Sequence, residues 1–306
     1  LLNKNYPLVA KCDNVKFQRK MANGEKENVI YENIKTSLIN QNVVFFGGHA
    51  ISLYSQYMPT KLRKKLSNYA DFDVLSNNPS QTSTIVMERL KDIGIKNVNV
   101  KKHNSVGEIV PEHYEIKIGK DSICFVYKTI GCHSYNNTEH QGQKIKVATI
   151  DTMLSFYLAF LYTNRPYYNQ FIDRILCMSQ YLFEIQQKNR LQQKGLLQRF
   201  SITCKGHQHS VTEIRGTKSE KYKELKSNKN KEKEFEEWFL NYKPDEKKNK
   251  SKNMKKTTKS NQTNKNTRKN IKRTKKSNQT NKNTRKNIKR TKNKKIYKKK
   301  THKKNI

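Results

Sequence analysis

The chain has 306 residues, and 64 Lys or Arg against 25 Asp or Glu give it a net charge of +39. This length suffices for one or two domains with a hydrophobic core, but the charge excludes a chain that folds throughout, because 27 of the basic residues and no acidic residue fall in 247–306. That tail has almost no apolar side chain to bury, so we expect it to be disordered and only residues 1–246 to fold.

Helices and strands alternate in the first part of the chain. Apolar residues at helical spacing predict a helix over 26–40, and the apolar run at 43–46 predicts a strand. Two glycines end that strand and a helix begins near His49, which is typical of a strand that enters a helix through a tight turn. The basic segment 59–70 is interpreted as a connector to an acidic strand at 69–76.

A helix and three short strands follow the acidic strand. The helix is predicted over 82–94, with Thr82 or Ser83 as its N-cap and Gly94 at its end. The strands are predicted at 97–100, 113–118 and 122–129. The Gly-Lys-Asp sequence at 119–121 predicts a tight hairpin between the last two strands.

The hydrophobic period becomes helical after Thr149. One apolar stripe contains Ile150, Leu154, Leu158 and Leu161, and a second contains Ile172, Ile175, Leu176, Leu182 and Phe183. A last short helix is predicted over 232–244, where a proline stops it. We therefore predict an α+β fold, with a mixed-sheet catalytic domain at 1–148, a helical accessory domain at 149–246 and the disordered basic tail at 247–306.

Two short motifs combine residue types that nucleotide chemistry uses. Main-chain N–H groups at Gly47 and Gly48, with the helix that follows, can bind a polyphosphate, because no side chain blocks its approach. Asp71 and Asp73 alternate along a strand and point to one face, where two adjacent carboxylates require a cation between them. Their oxygens are ligands that Mg²⁺ prefers. Each motif by itself also has a structural explanation, as a glycine turn required by sterics and as two solvated acids.

In combination the two motifs resemble a known superfamily. The sequence Phe-Gly-Gly at 46–48, followed by the alternating acids of Asp-Phe-Asp-Val at 71–74, resembles the nucleotidyltransferases of the DNA polymerase β type. With the sequence CHSYN at 132–136 and the later helices, the chain is similar to the poly(A) polymerase catalytic subunits of poxviruses and giant DNA viruses over residues 28–245. The resemblance implies a polymerase β-like mixed sheet and template-independent addition of AMP from ATP to mRNA 3′ ends, with Mg²⁺ or Mn²⁺.

The resemblance also implies residue roles, partners and a location. Asp71 and Asp73 would hold two metal ions that clamp the attacking and leaving oxygens, and Gly47 and Gly48 would hold phosphate. The partners would be ATP, an RNA 3′ end and a second copy of the chain or a processivity subunit. The protein would be viral and act in the infected host-cell cytoplasm or the virion.

A third carboxylate, which the superfamily carries on a later strand, is not at its usual position. That position falls near Cys124, and cysteine is not a ligand for Mg²⁺. Glu115 is the closest substitute, with Glu108 and Glu112 behind it. Either Glu115 completes the site, or the chain is a catalytically inactive paralogue that acts as an RNA-binding or scaffold subunit. A plain nucleic-acid-binding protein, with its affinity confined to the tail, is a further alternative.

Other reactive residue types receive structural interpretations. Cys204, His207 and His209 lie close together, but no second ligand pair is near, so a polar hairpin turn is preferred to a zinc site. The remaining polar positions interpreted as structural are His49, Tyr135, Asn136, Asp151 and Asp173. The five cysteines, which include Cys124 and Cys177 as expected core thiols, lack metal-ligand spacing and predict reduced thiols in a cytosol-like compartment.

Membrane insertion is not expected, because no signal peptide is recognised and the longest apolar run, at 153–163, is too short to span a bilayer. The tail carries KSNQTNKNTRKNIKRTK at 259–275 and again at 276–292, without a repeated core hydrophobe, which indicates a duplication. Its charge predicts RNA binding without sequence preference, since Tyr297 is its only aromatic residue. A solvated low-complexity extension or localisation signal is the alternative.

Overall fold

The computed structural model describes Cys12, Val15 and residues 27–66, 71–163 and 165–239. These residues belong to one compact unit that spans 1–242 and contains both the mixed sheet and the later helices. The division into domains at 148 stays a prediction. The predicted disorder of 247–306 lies outside the described residues.

The elements follow one another in an order that begins with a helix. The helices among the described residues are α1 (Glu27–Asn40), α2 (Gly48–Tyr54), α3 (Thr60–Leu66), α4 (Pro79–Asp92), α5 (Ile150–Tyr162), α6 (Pro166–Asn169), α7 (Ile172–Lys188), α8 (Val211–Lys226) and α9 (Glu232–Phe239). The strands are β1 (Val44–Phe45), β2 (Phe72–Ser76), β3 (Val98–His103), β4 (His113–Ile118), β5 (Asp121–Lys128), β6 (His133–His140), β7 (Gln143–Ala148) and β8 (Cys204–Lys205). Within this described part, every helix is too short or too polar to cross a membrane.

The described strands form a mixed sheet in the order β3-β4-β5-β2-β1-β7-β6-β8. β2 lies parallel to β5 and β1 lies parallel to β7, whereas the other neighbouring pairs are antiparallel. This arrangement confirms the predicted α+β fold with a mixed sheet. Because β1 and β2 are central neighbours, the glycine turn after β1 lies beside the acids of β2.

Two predictions about helices differ from the structure. α4 begins at Pro79 and is capped by Asn78, whose side chain accepts a hydrogen bond from the Gln81 N–H, so the predicted caps Thr82 and Ser83 lie inside the helix. Asparagine followed by proline is itself a helix start signal, because asparagine caps the helix and proline fixes the first helical φ. The segment interpreted as a connector contains a helix of its own, α3.

The hairpin of β6 and β7 was not predicted. Gln141 and Gly142 form its turn with φ values of 52° and 75°, which suits a two-residue hairpin loop. β6 has the sequence HSYNNTEH and is mostly half-exposed or exposed. It therefore lacks the alternation of apolar and polar residues by which a strand is recognised.

Buried tyrosines join the later helices to the sheet. The Tyr157 hydroxyl on α5 donates a hydrogen bond to the Phe46 carbonyl oxygen at 3.2 Å. The Tyr54 hydroxyl on α2 lies 3.0 Å from the Ala148 carbonyl oxygen and 3.1 Å from that of Leu196. Because a buried hydroxyl without a partner is costly, these bonds fix α5 and the segment after α7 against the central strands.

Candidate active site

The two predicted acids lie on one side of Phe72, at the start of β2. Asp71 directly precedes the strand and is buried, whereas Asp73 lies within the strand and is half-buried. Both acids line a pocket of about 440 Å³. The structure therefore brings together the two carboxylates that the period of a strand places on one face.

Gly47 lies directly against the side chain of Asp73. A Cβ atom at position 47 would overlap the Asp73 carboxylate, so a larger residue would displace it. The Asp73 carbonyl oxygen accepts a hydrogen bond from the Gly47 N–H at 3.3 Å, and the Asp71 carbonyl oxygen accepts one from the His49 N–H at 3.1 Å. The glycine turn thus positions both acids, and the phosphate-binding role of Gly47 and Gly48 stays a prediction.

A buried arginine that the sequence analysis did not assign contacts the acid pair. Arg174, in the first turn of α7, donates a hydrogen bond from Nη2 to Asp71 Oδ2 at 2.8 Å, and the two side chains are 10% and 5% exposed. The guanidinium provides the positive charge that a buried carboxylate requires. A signal was present, because Arg174, Met178 and Leu182 recur every four residues on the buried stripe of α7.

Aromatic side chains form most of the remaining pocket wall. They are Phe125, Tyr127, Tyr157, Phe160, Tyr167, Tyr168 and Phe171. Burial raises the pKa of Tyr127 and of Tyr168, so both hydroxyls stay neutral. The rings of Tyr167 and Phe125 lie 5.7 Å apart, and Tyr167 is 37% exposed. Such a wall offers flat surfaces on which a nucleobase can stack.

The structure does not bring Glu115 to the acid pair. Glu115 on β4 is in register with Phe125 on β5, which is in register with Asp73 on β2. Two strand spacings amount to about 10 Å. The carboxylate of Glu115 instead contacts the side chains of Ser122, His103 and Lys117. The prediction of Glu115 as a third ligand is therefore corrected: this residue belongs to a structural ion cluster.

The electrostatics of this cluster agree with its structural role. Burial raises the pKa of Glu115, but the hydrogen bonds from Ser122 and His103 and the charge of Lys117 outweigh burial, so the pKa lies below its usual value. The acids behind Glu115 are also engaged in ion pairs away from the pocket, Glu108 with Lys218 and Glu112 with Lys102.

An aromatic residue occupies the position on β5 that faces Asp73. The register pairs Asp73 with Phe125 and Phe72 with Cys124, so the cysteine lies on the opposite face of the sheet. Burial, followed by the charges of Asp73 and Asp71, raises the pKa of the Cys124 thiol. Among the described residues, the carboxylates that line the pocket are therefore two and not three.

This donor set fits one hard cation. Mg²⁺ in proteins is held by one or two carboxylates and completes its octahedron with water and substrate phosphates, and Asp71 and Asp73 meet that requirement. A second ion needs a further ligand, which the phenyl ring of Phe125 does not supply. Arg174 would share the acid pair with a bound cation.

Several residues with structural interpretations have structural contacts. His49 Nδ1 lies 2.8 Å from the Tyr31 hydroxyl, and burial lowers the pKa of His49 to about 3. Asn136 donates hydrogen bonds to two carbonyl oxygens of the segment after α7. Asp151 and Asp173 lie in the first turns of α5 and α7, as predicted.

The prediction of reduced thiols is wrong for four of the five cysteines. The structure pairs Cys12 with Cys177 and Cys132 with Cys204 in disulfides and leaves Cys124 as a buried thiol. Cys177 is consequently not a core thiol. The paired cysteines are 165 and 72 residues apart in the chain, and such connectivity cannot be deduced from spacing.

Comparisons with known proteins bear on the fold. No family model matches the chain, and no curated protein matches its sequence. Its structure is similar to the crystal structure of the Megavirus polyadenylate synthase, with a TM-score of 0.53 and 16% identity over 83% of this chain and 53% of that one. The antibiotic-resistance factor ANT(2″)-Ia matches 53% of this chain and 90% of its own, at 14% identity and a TM-score of 0.29, which is too low to establish a common fold.

The mixed sheet, with a glycine turn beside alternating acids, therefore has a known counterpart. The chain has the fold of the polymerase β-type nucleotidyltransferases. It shares this fold with the Megavirus polyadenylate synthase and spans about half the length of that protein.

Proposed function

We propose that the chain is a template-independent nucleotidyltransferase that adds AMP from ATP to RNA 3′ ends. The observation that carries the proposal is the pair Asp71 and Asp73 in an aromatic-walled pocket, within a fold shared with a viral polyadenylate synthase. A nucleoside triphosphate requires a cation at its phosphates and an apolar surface for its base. The pocket provides ligands for the first and walls for the second.

Each described residue of the pocket has a distinct task in this proposal. Mg²⁺ or Mn²⁺ held by Asp71 and Asp73 supplies charge neutralisation and lowers the pKa of an attacking hydroxyl. Gly47 leaves room for the Asp73 carboxylate, and Arg174 fixes the carboxylate of Asp71. Catalysis then depends mainly on positioning and on electrostatic interactions that burial strengthens.

The partners and location belong to the same proposal. ATP and an RNA 3′ end are the proposed substrates, and residues 247–306 are a proposed RNA-binding arm. A second copy or a processivity subunit is proposed as a protein partner. A viral protein of the infected-cell cytoplasm or the virion fits the likeness to the Megavirus enzyme.

A second candidate is an inactive paralogue that binds RNA or acts as a scaffold subunit. Two contacts favour it. Phe125 lies at the position on β5 that faces Asp73, where an acid would complete a two-metal site. Arg174 already neutralises Asp71 without a metal ion.

An extension assay on the purified chain distinguishes the candidates. An active enzyme incorporates label from ATP, in preference to the other three triphosphates, into an RNA primer with Mg²⁺ or Mn²⁺. Asp73→Asn should abolish incorporation, whereas Asp92→Asn, an exposed acid on α4, should not. Glu115→Gln should leave turnover unchanged, because β5 separates this residue from the pocket.

The opposite results are equally informative. RNA binding without incorporation, with all four triphosphates and both metals, would establish the inactive paralogue and overturn the enzyme. If residues 1–246 bound neither RNA nor ATP while the full chain bound RNA, the plain nucleic-acid-binding alternative would hold.

A further inference from the structure

The connection between β8 and α8 brings three metal-ligating side chains together outside the pocket. His207 and His209 lie in the loop, and Glu213 lies in the first turn of α8. One ligand atom of each lies within 4.8 Å of the other two. The polar hairpin turn predicted for this segment is wrong, because a helix follows the loop. That helix supplies the third ligand that the sequence analysis did not find.

The distances are close to those of a zinc site. With zinc to nitrogen or oxygen bonds of about 2.0–2.1 Å, the ligand atoms of a tetrahedral site lie about 3.3–3.4 Å apart. His207 Nε2 already lies 3.5 Å from Glu213 Oε1. The rings of His207 and His209 are 4.9 Å apart and nearly perpendicular, at 87°. All three side chains are exposed, so small rotations can close the remaining gap.

The start of the loop is fixed against the backbone that precedes β6. Gly206 has a φ of +104°, and a Cβ atom there would overlap the Gly131 carbonyl oxygen, so only glycine fits this contact. The neighbouring Cys204 is joined to Cys132 in a disulfide, so its sulfur is not a thiolate ligand. The histidines therefore extend from a defined point at the edge of the sheet.

The end of the loop is fixed by the capping box of α8. The Glu213 N–H donates to Ser210 Oγ at 3.2 Å, and the Ser210 N–H donates to Glu213 Oε2 at 2.6 Å. This second bond holds one carboxylate oxygen and leaves Oε1 directed at His207. Outer-shell hydrogen bonds of this kind orient metal ligands.

We propose that His207, His209 and Glu213 form a binding site for Zn²⁺, with water in the fourth position. Two imidazoles and one carboxylate with an open position are a common zinc donor set. Imidazole favours zinc over the hard cation Mg²⁺. None of the three residues lines the pocket of the acid pair. A bound ion would join the loop after β8 to the first turn of α8.

Calorimetric titration of the full chain with Zn²⁺, without reductant so that the disulfides stay formed, tests the site. One saturable site is expected. His207→Ala and His209→Ala should each weaken binding at least tenfold, since loss of even an outer-shell partner costs about 10–100-fold.

Glu213→Gln is the most specific variant, because glutamine at this position preserves the capping box but removes the anionic ligand. It should also weaken Zn²⁺ binding at least about tenfold. Glu220→Gln, which removes an exposed acid from the same helix, should leave the affinity unchanged and is its matched control.

Two further measurements identify the coordination. Co²⁺ in place of Zn²⁺ should give the visible absorption of a tetrahedral site in the unaltered chain and lose it in each ligand variant, and Mg²⁺ should not compete. Equal Zn²⁺ affinity of the unaltered chain and the His207→Ala, His209→Ala double variant would overturn the proposal. So would an unchanged affinity in Glu213→Gln, because the third ligand would then be absent.

Discussion

The buried ion pair of Arg174 and Asp71 predicts a large effect of a single substitution. Arg174→Met keeps a long apolar side chain beside Phe171 but removes the guanidinium. Asp71 would then remain as a charge in a side chain that is only 5% exposed. Removal of one partner of a buried pair costs about 3–5 kcal/mol, and we expect the lower end, about 3 kcal/mol, because Asp71 faces an open pocket that water can enter.

Urea unfolding followed by circular dichroism measures this loss. With a slope of about 1–3 kcal/mol per molar urea, a loss of about 3 kcal/mol lowers the midpoint by about 1–3 M. The double variant Asp71→Asn, Arg174→Met should regain most of the stability, because neither charge stays buried alone. Arg190→Met, an exposed arginine after α7, is the matched control and should change stability by less than about 0.5 kcal/mol.

Two results would refute this reasoning. If Arg174→Met lowered the midpoint no more than Arg190→Met does, the guanidinium would not be part of a buried pair. If the loss in the double variant equalled the sum of the two single losses, Arg174 and Asp71 would not be energetically coupled.

Three other features make predictions of their own. Gly47→Ala should abolish extension and cost about 1–3 kcal/mol, because its Cβ would overlap the Asp73 carboxylate, whereas Gly131→Ala meets nothing within 4 Å; equal effects would contradict the packing argument. Burial lowers the pKa of His113 from 6.5 to about 4, so its contribution to stability is complete above about pH 6.5 and decreases by about 1.4 kcal/mol per unit as the pH falls to 4. His113→Gln should reduce that slope in urea titrations between pH 7 and 4, and an unchanged slope would exclude this histidine. Deletion of 247–306 should flatten the salt dependence of RNA binding, at about 0.7 per phosphate contact on logarithmic axes, without changing turnover at saturating RNA; an unchanged slope would exclude the tail from RNA binding.

Local chemistry made much of the fold predictable. The helix α1 follows from its apolar stripe, and the β4–β5 hairpin follows from Gly119, which has the positive φ of 60° that glycine adopts readily. Asp71 and Asp73 were placed on one face by the period of a strand alone. These features depend on neighbours within a few residues, which a sequence displays directly.

Contacts between distant segments could not be predicted in the same way. Glu115 has apolar neighbours like those of the expected third acid, but the register of β4, β5 and β2 decides that Phe125 and not Glu115 faces Asp73. Arg174 reaches Asp71 across 103 residues of chain. The third member of the histidine cluster, Glu213, is a neighbour only because a helix begins after the loop. In each case the sequence gives the residue type but not the partner.

The charge balance of the pocket makes ATP binding depend on a divalent cation. The charged residues that line it are Asp71, Asp73 and Arg174, with a sum of −1, which repels a triphosphate. One divalent ion changes that sum to +1 and reverses the sign of the interaction, and the effect is large where water is scarce. ATP should therefore bind at least about tenfold more tightly with Mn²⁺ than with EDTA, which corresponds to about 1.4 kcal/mol. In Asp73→Asn the starting sum is zero, so metal-free ATP binding should improve and the dependence on Mn²⁺ should shrink. Fluorescence titration with an ATP analogue measures both affinities, and equal affinity of the unaltered chain with and without Mn²⁺ would show that the acid pair does not hold the ion at the phosphates.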